Sequence, residues 1–167
     1  CKSEFFFGLD AQGKSRPFSS GSRQLIRPVA VFVSTGVSKG MKNQTNAAIF
    51  SAQVGMKRKN DIVEPLKVID DRLQTLELEK RGPEDFVCGD IGYDKMLPLS
   101  LMGEGMERYL SFVLAMLQAE NGTVLIDEIE NGFHHTILDK VWSNLAKLAR
   151  KYNVQLIATT HSHECIK

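Results

Sequence analysis

Apolar and polar positions divide this chain into a half with faint periodicities and a half with strong ones. Over residues 106–119 the positions Tyr109, Leu110, Phe112, Val113, Met116 and Leu117 recur at helical spacing, and the turn Ser100-Leu101-Met102-Gly103-Glu104-Gly105 stands directly before them. Glu120-Asn121-Gly122 closes that helix, with Gly122 in the place of a left-handed cap. Thr123-Val124-Leu125-Ile126 is then an apolar, partly β-branched run too short for a helix, which predicts a strand covered on both faces. A loop, Ile129-Glu130-Asn131-Gly132-Phe133-His134-His135, leads into a second helix over 136–152 whose apolar face is Ile137, Val141, Leu145 and Leu148. Asn153 ends it, and 154–159 reads as the next strand. Helix, strand, helix, strand with crossovers of helical length predict a right-handed parallel unit in an α/β sheet.

The first half is patterned more loosely. Residues 1–45 hold much of the Ser, Gly and Lys, with short extended pieces at 4–7 and 28–34 and the turn formers Ser19-Ser20-Gly21-Ser22 between them. Helical spacing returns in 46–53 and 61–70, carried by Ala48, Phe50 and Val54, then Ile62, Leu66 and Ile69. Residues 73–78 alternate as a strand does, and a further pair of short strands is expected over 85–88 and 95–99. The polar turn Arg81-Gly82-Pro83 separates the two halves. Residues 1–82 are expected to form a variable α+β segment, and 83–167 the half that carries the chemistry.

Composition narrows the partners. The chain has 167 residues, 43% hydrophobic and 25% charged, enough for one sizeable core or a core with a partly independent lobe. A net charge of +1 gives no overall field toward nucleic acid or membrane. The run Met56-Lys57-Arg58-Lys59 is a local basic cluster, better read as a solvated helix end, because specific DNA binding needs many phosphate contacts. Cys1, Cys88 and Cys165 are odd in number and far apart, as free thiols of a reducing cytoplasm would be. No run approaches the roughly 18–20 apolar residues of a membrane span, and no signal core opens the chain, so a soluble cytoplasmic protein is expected.

Candidate chemistry gathers at the strand ends. Carboxylates just past a buried strand would cost several kcal/mol to bury unpaired, and a bound Mg²⁺ offsets that cost. In phosphoryl transfer one carboxylate holds the ion through its water shell while a neighbour orients the attacking water, which makes Asp127 and Glu128 a candidate pair. His161, in Ala158-Thr159-Thr160-His161-Ser162 at the tip of the next strand, would then read the γ-phosphate. The glycine-bearing turn that opens the helix at 106 offers free N–H groups and a positive dipole end to an anion. The bland readings are strand-capping carboxylates and a polar strand-end histidine. His161, His163 and Cys165, with His134 and His135, could instead hold a metal, though zinc wants a closed set of four ligands.

One further pattern bears on phosphate. Gly8-Leu9-Asp10-Ala11-Gln12-Gly13-Lys14-Ser15 satisfies the two-glycine, lysine, serine spacing of a phosphate-binding loop. Pro17, Ser19, Ser20, Gly21 and Ser22 follow it, where a true phosphate loop feeds an apolar-faced helix, so a hairpin turn containing Gly-Lys-Ser is the better expectation. The working phosphate loop is then expected upstream of Cys1, the chain being a fragment.

Taken together, residues 97–166 resemble the C-terminal half of an ABC-type ATPase head, in the branch of the overcoming-lysogenization-defect and related AAA-family ATPases of phage-defence and retron systems. The turn from Ser100 to Gly105 stands where that family has its signature loop, with Arg108 at the family's spacing; Val124 to Glu128 matches Walker B with its glutamate; Glu130 to His134 sits at the D-loop; His161 matches the switch histidine. The resemblance implies a P-loop NTPase fold, a parallel sheet with flanking helices that is incomplete here, beside the N-terminal α+β segment. It implies ATP and Mg²⁺ as cofactors, Asp127 as the metal residue, Glu128 and His161 as catalytic, and nucleotide contacts from Ser100, Gly103, Gly105, Arg108, Asn131 and Gly132. It also implies a head-to-tail homodimer, or a partner chain that supplies Walker A, coupled to an effector nuclease or toxin. Met102 and Glu104 replace the signature's serine and second glycine, leaving Ser100 as a substitute for the serine contact, and His134 replaces the D-loop aspartate. The alternative is a non-catalytic interaction or regulatory fragment without a phosphate loop. A structural-maintenance-of-chromosomes ATPase would need heptad arms that this sequence lacks.

Overall fold

The computed structural model describes residues 7–9, 15–17, 29–34 and 39–162. Along them run strands β1 (Phe7–Leu9), β2 (Ser15–Pro17) and β3 (Ala30–Val33), helices α1 (Lys39–Gly55) and α2 (Lys59–Leu66), and strands β4 (Thr75–Arg81), β5 (Glu84–Asp90) and β6 (Leu97–Pro98). A 3₁₀ turn, Leu99–Leu101, leads to α3 (Glu104–Gln118), β7 (Thr123–Ile126), α4 (His135–Lys151) and β8 (Gln155–Ala158).

The expected parallel unit is present. β7 lies between β3 and β8 in a three-stranded parallel sheet, with Phe32, Leu125 and Ile157 in one register row. A second sheet, β4-β5-β6, is antiparallel. Arg81-Gly82-Pro83 is the turn of its β4–β5 hairpin, with Gly82 at φ 65°, a conformation that favours glycine. β1 and β2 also pair antiparallel, Leu9 opposite Ser15 and Gly8 opposite Arg16.

Helix α3 is the axis of the core. Its apolar positions from Met106 to Leu117 are buried on nearly every side, as expected for a helix enclosed by neighbours. Each Leu, Phe or Met so enclosed stabilises the fold by about 1.5–3 kcal/mol. The helix touches α1, α2, α4, β3 and β7, and α1 and α2 in turn touch β4, so that the helices link the two larger sheets. α4 adds Leu138, Val141, Leu145 and Leu148 to the buried interior, with Leu138 in the place its sequence pattern gives to Ile137.

Several expectations shift at element ends. Helical spacing runs on to Asp70, yet α2 stops at Leu66, one residue after Pro65, and continues only as turns bonded to the Pro65 and Leu66 carbonyls. The predicted strand at 95–99 shortens to Leu97–Pro98. After α3 the left-handed residue is Asn121, at φ 62°, rather than Gly122. Gly122 has a different necessity: a Cβ there would lie 2.2 Å from the Val29 carbonyl oxygen, so the chain can enter β7 only as glycine. The basic cluster is committed internally, Arg58 to Glu120 and Lys59 to Glu77.

Candidate functional site

β7 carries its ladder one residue past its end, where the Asp127 N–H donates to the Val33 carbonyl at 3.0 Å. The chain then turns sharply: Glu128 takes a left-handed conformation, φ 47°, and its carbonyl accepts from the Asn131 N–H at 3.0 Å. That conformation costs a non-glycine residue about 1–2 kcal/mol. Arg108 of α3 compensates, its Nη2 donating to the carbonyls of Asp127 at 2.7 Å and Glu128 at 2.8 Å. A charge-assisted bond contributes about 1.5–3 kcal/mol, so the pair outweighs the strain. Arg108 is buried, its guanidinium 5.2 Å from the Phe112 ring centre. Burial pulls its pKa below the ordinary arginine value against the upward pull of Glu128, Glu104, Asp127 and Glu130.

β8 delivers its end beside this turn. The Thr159 hydroxyl donates to Asp127 Oδ1 at 2.6 Å and accepts the Glu128 N–H at 2.9 Å. Two residues on, the His161 N–H donates to Glu130 Oε1 at 2.7 Å, and His161 Nε2 lies 3.8 Å from Glu128 Oε1. The imidazole is 84% exposed and so open to a ligand. Asn131 Nδ2 donates to Glu128 Oε2 at 3.3 Å. Burial raises the Glu130 pKa, but hydrogen bonds from its own N–H and that of His161, the Thr160 hydroxyl and the His161 charge together hold it below the ordinary carboxylate value.

The turn that opens α3 packs on the same loop from the α3 side. A Cβ on Gly105 would sit 2.8 Å from the Gly132 carbonyl oxygen, and one on Gly132 3.3 Å from Glu104 Cγ, so these glycines permit a close approach of α3 to the loop. Phe133 fixes that loop in the core, its ring 6.3 Å from Tyr109 and 5.9 Å from Phe112. Gly103, at φ 119°, caps α3 without a side-chain acceptor. A cleft of about 220 Å³ between β3, α1 and α3 is lined by Asn46, Glu104, Arg108 and Asn131 among others.

The structure therefore brings together Asp127, Glu128, Asn131 and His161 at the carboxyl ends of β7 and β8, with Arg108, Gly105 and Gly132 supporting them from α3 and the loop. Ser100 stands apart, exposed on the 3₁₀ turn beside Asn46, Phe86 and Glu107. Sequence reasoning missed Thr159 and the Glu130 carboxylate. The signal was present for Thr159, a β-branched hydroxyl residue at the end of a strand neighbouring two carboxylates.

The donor set suits Mg²⁺. That ion is held by one or two carboxylates with water and phosphate oxygens, and the Thr159 hydroxyl engages Asp127 through Oδ1. Among the described residues no group of three or more His, Cys, Asp or Glu could hold a metal by itself; His163 and Cys165 of the alternative metal set lie outside them. Leu9 and Ser15 of the Gly-Lys-Ser segment lie in paired strands, whereas a phosphate loop leads from its Ser into a helix; Asp10 to Lys14 lie outside the described residues.

An open parallel sheet with carboxylates and a histidine on adjacent carboxyl ends defines an α/β domain whose ligands bind off that edge. The chain belongs to the family described as "AAA domain, putative AbiEii toxin, Type IV TA system", which it matches over residues 15–166. It is 30% identical over 105 residues to an ATP/GTP phosphatase of Helicobacter pylori, covering 61% of this chain and 28% of that protein. It is 38% identical over 65 residues to an uncharacterized protein of Methanocaldococcus jannaschii, covering 39% of this chain and 57% of the other. The chain thus spans less than two thirds of either relative. Among solved structures it is similar to an Smc head bound to the C-winged helix domain of ScpA, at a TM-score of 0.47, 15% identity, and 78% and 45% coverage of the two chains. A structure from a study of ATP-driven dimerization of SMC ATPases gives a TM-score of 0.44 at 15% identity, with 68% and 75% coverage. Among the described residues no helix is long and apolar enough to cross a membrane.

Proposed function

We propose that this chain forms the metal and water side of a nucleotide-hydrolysing site. The observation that carries the reading is the convergence of Asp127, Glu128 and His161 at two adjacent strand ends, with Thr159 and Arg108 fixing the turn between them. Mg²⁺, when bound, supplies charge neutralisation for the phosphate oxygens. Asp127 would hold it; Glu128, oriented by Asn131, would accept a proton from the attacking water; His161 would donate to the terminal phosphate. The AAA family and the ATP/GTP phosphatase among the relatives support ATP or GTP as substrate. Gly103 and Gly105 would meet nucleotide from the uncapped start of α3, and Gly132 and Arg108 would act through the loop they support.

The hairpin at β1–β2 favours a division of labour. In this proposal the phosphate loop belongs to another segment or to a partner chain, and a head-to-tail dimer completes each site. The family description names a toxin and a TA system, which supports coupling to a toxin effector. A nuclease effector and membership of the phage-defence branch are finer forms of the same proposal.

The test is steady-state hydrolysis of ATP and GTP by the full-length protein and its Glu128→Gln variant, with nucleotide binding measured in parallel. Removing a general base is expected to lower turnover by about 10²–10⁴-fold while nucleotide binding persists. Unchanged turnover in Glu128→Gln would remove Glu128 from the chemistry.

A further inference from the structure

Thr159 makes a hydrogen bond with every polar group it has, and the partners are four consecutive residues. Its N–H donates to the Ile126 carbonyl at 2.9 Å, its hydroxyl donates to Asp127 Oδ1 at 2.6 Å, its Oγ1 accepts the Glu128 N–H at 2.9 Å, and its carbonyl accepts the Ile129 N–H at 3.1 Å. The direction of each side-chain bond is forced. A carboxylate can only accept and an amide N–H can only donate, so one hydroxyl, with one hydrogen and free lone pairs, satisfies both at once. β-Branching restricts the rotamers that side chain can adopt, so the relay is held in place. The zipper runs one step further, since Glu130 Oε1 takes the His161 N–H. Residues 126–130 are thereby tied, one after another, to 159–161.

We infer that Thr159 is a positioning residue for the cation and water side of the site: it sets the orientation of the Asp127 carboxylate and holds Glu128 in its left-handed turn. This rests on the proposed metal role of Asp127. The hydroxyl takes one lone pair of Oδ1 and so fixes the plane of the carboxylate, leaving its other lone pairs for a cation, while the bond to the Glu128 N–H fixes where that side chain leaves the backbone. Neither effect requires Thr159 to touch a ligand. Because the same residue continues β8, displacement of the strand end that carries His161 is passed to both carboxylates through one side chain.

The experiment compares the parent chain with Thr159→Val, Thr159→Ser and Asp127→Asn. Two readouts are independent of turnover: Mn²⁺ affinity by electron paramagnetic resonance, with Mn²⁺ alone as the probe, and the position of the Glu128 amide in the ¹⁵N–¹H spectrum. Val keeps the shape and removes both bonds; Ser keeps the hydroxyl. Partners that orient a metal ligand are typically worth about 10–100-fold in affinity. Thr159→Val is therefore expected to weaken Mn²⁺ binding about 10-fold and to shift the Glu128 amide. Thr159→Ser should restore both toward the parent. Thr159 is exposed, so the fold should survive, and circular dichroism of each variant checks that. If Asp127→Asn abolishes Mn²⁺ binding while Thr159→Val binds as the parent does, the positioning role is overturned and the metal site stands. If Asp127→Asn binds Mn²⁺ unchanged, the metal reading falls and takes this inference with it. A Glu128 amide that does not move in Thr159→Val also overturns it.

Discussion

Replacing Arg108 by Met asks how much of this site rests on one buried cation. Met keeps an apolar, unbranched stem but removes the guanidinium, and with it the contact with Phe112 and both bonds to the Asp127 and Glu128 carbonyls, at 2.7 and 2.8 Å. Each bond to a charged group contributes about 1.5–3 kcal/mol, a gross loss of about 3–6 kcal/mol. Part returns, because the guanidinium no longer has to be desolvated, and the depressed Arg108 pKa shows that burial outweighs its carboxylate neighbours. The Asp127 and Glu128 turn is half-buried, so water can reach its freed carbonyls. A net loss of about 2–4 kcal/mol follows, which for a chain of this size lowers the melting temperature by roughly 5–15 °C. Thermal unfolding followed by circular dichroism measures it, with Lys140→Met on the exposed face of α4 as a control expected within about 0.5 kcal/mol of the parent. A melting temperature for Arg108→Met equal to that of the control would refute the reasoning: the guanidinium would then be a nucleotide contact waiting for its ligand, as the family resemblance implies, and not a brace of the Asp127–Glu128 turn.

Gly105→Ala should lose about 1–3 kcal/mol in urea unfolding, since its Cβ meets the Gly132 carbonyl oxygen at 2.8 Å; Gly55→Ala, with nothing within 4 Å, should gain about 0.4–1 kcal/mol, and equal effects would discredit the close approach. Glu130 has a folded pKa below its unfolded value, so its contribution is present above about pH 4.5 and lost as pH falls through the folded value; Glu130→Gln should flatten that acid limb, and superimposable pH–stability curves would count against it. Burial, with Glu79 beside it, pushes the Cys88 thiol up to about 11, so in a Cys1→Ser, Cys165→Ser background iodoacetamide at about pH 8 should react slowly with the folded chain and quickly in urea. Folded-state alkylation at the rate of a free thiol would contradict that burial.

Much of the second half is legible in the sequence because its periodicities are strong and its elements are local. The 106–119 pattern yields α3, Leu145 and Leu148 mark the face of α4, and a short β-branched run yields β7, each within a residue or two of the observed ends. Asp127, Glu128 and His161 can be named from strand-end position alone, since the alternation of parallel strands and helices delivers successive carboxyl ends to one edge. Less is legible where the determining contact is distant in sequence. Gly122 looks like a cap until Val29 is placed beside it, and the need for Gly105 exists only because the Gly132 carbonyl lies against it.

The sequence by itself determined the helices and strands of the second half and which residues carry the candidate chemistry, because propensity, periodicity and residue type act over a few neighbours. Tertiary structure decided what each does to the others. The family resemblance implies Arg108 as a nucleotide contact; folding sets its guanidinium against two backbone carbonyls some twenty positions away. Thr159 is marked in the sequence only as a β-branched hydroxyl residue at a strand end; the parallel register of β7 and β8 puts its hydroxyl between Asp127 and Glu128. Hydrogen bonds require atoms within about 3 Å, and only the packed chain determines which atoms those are.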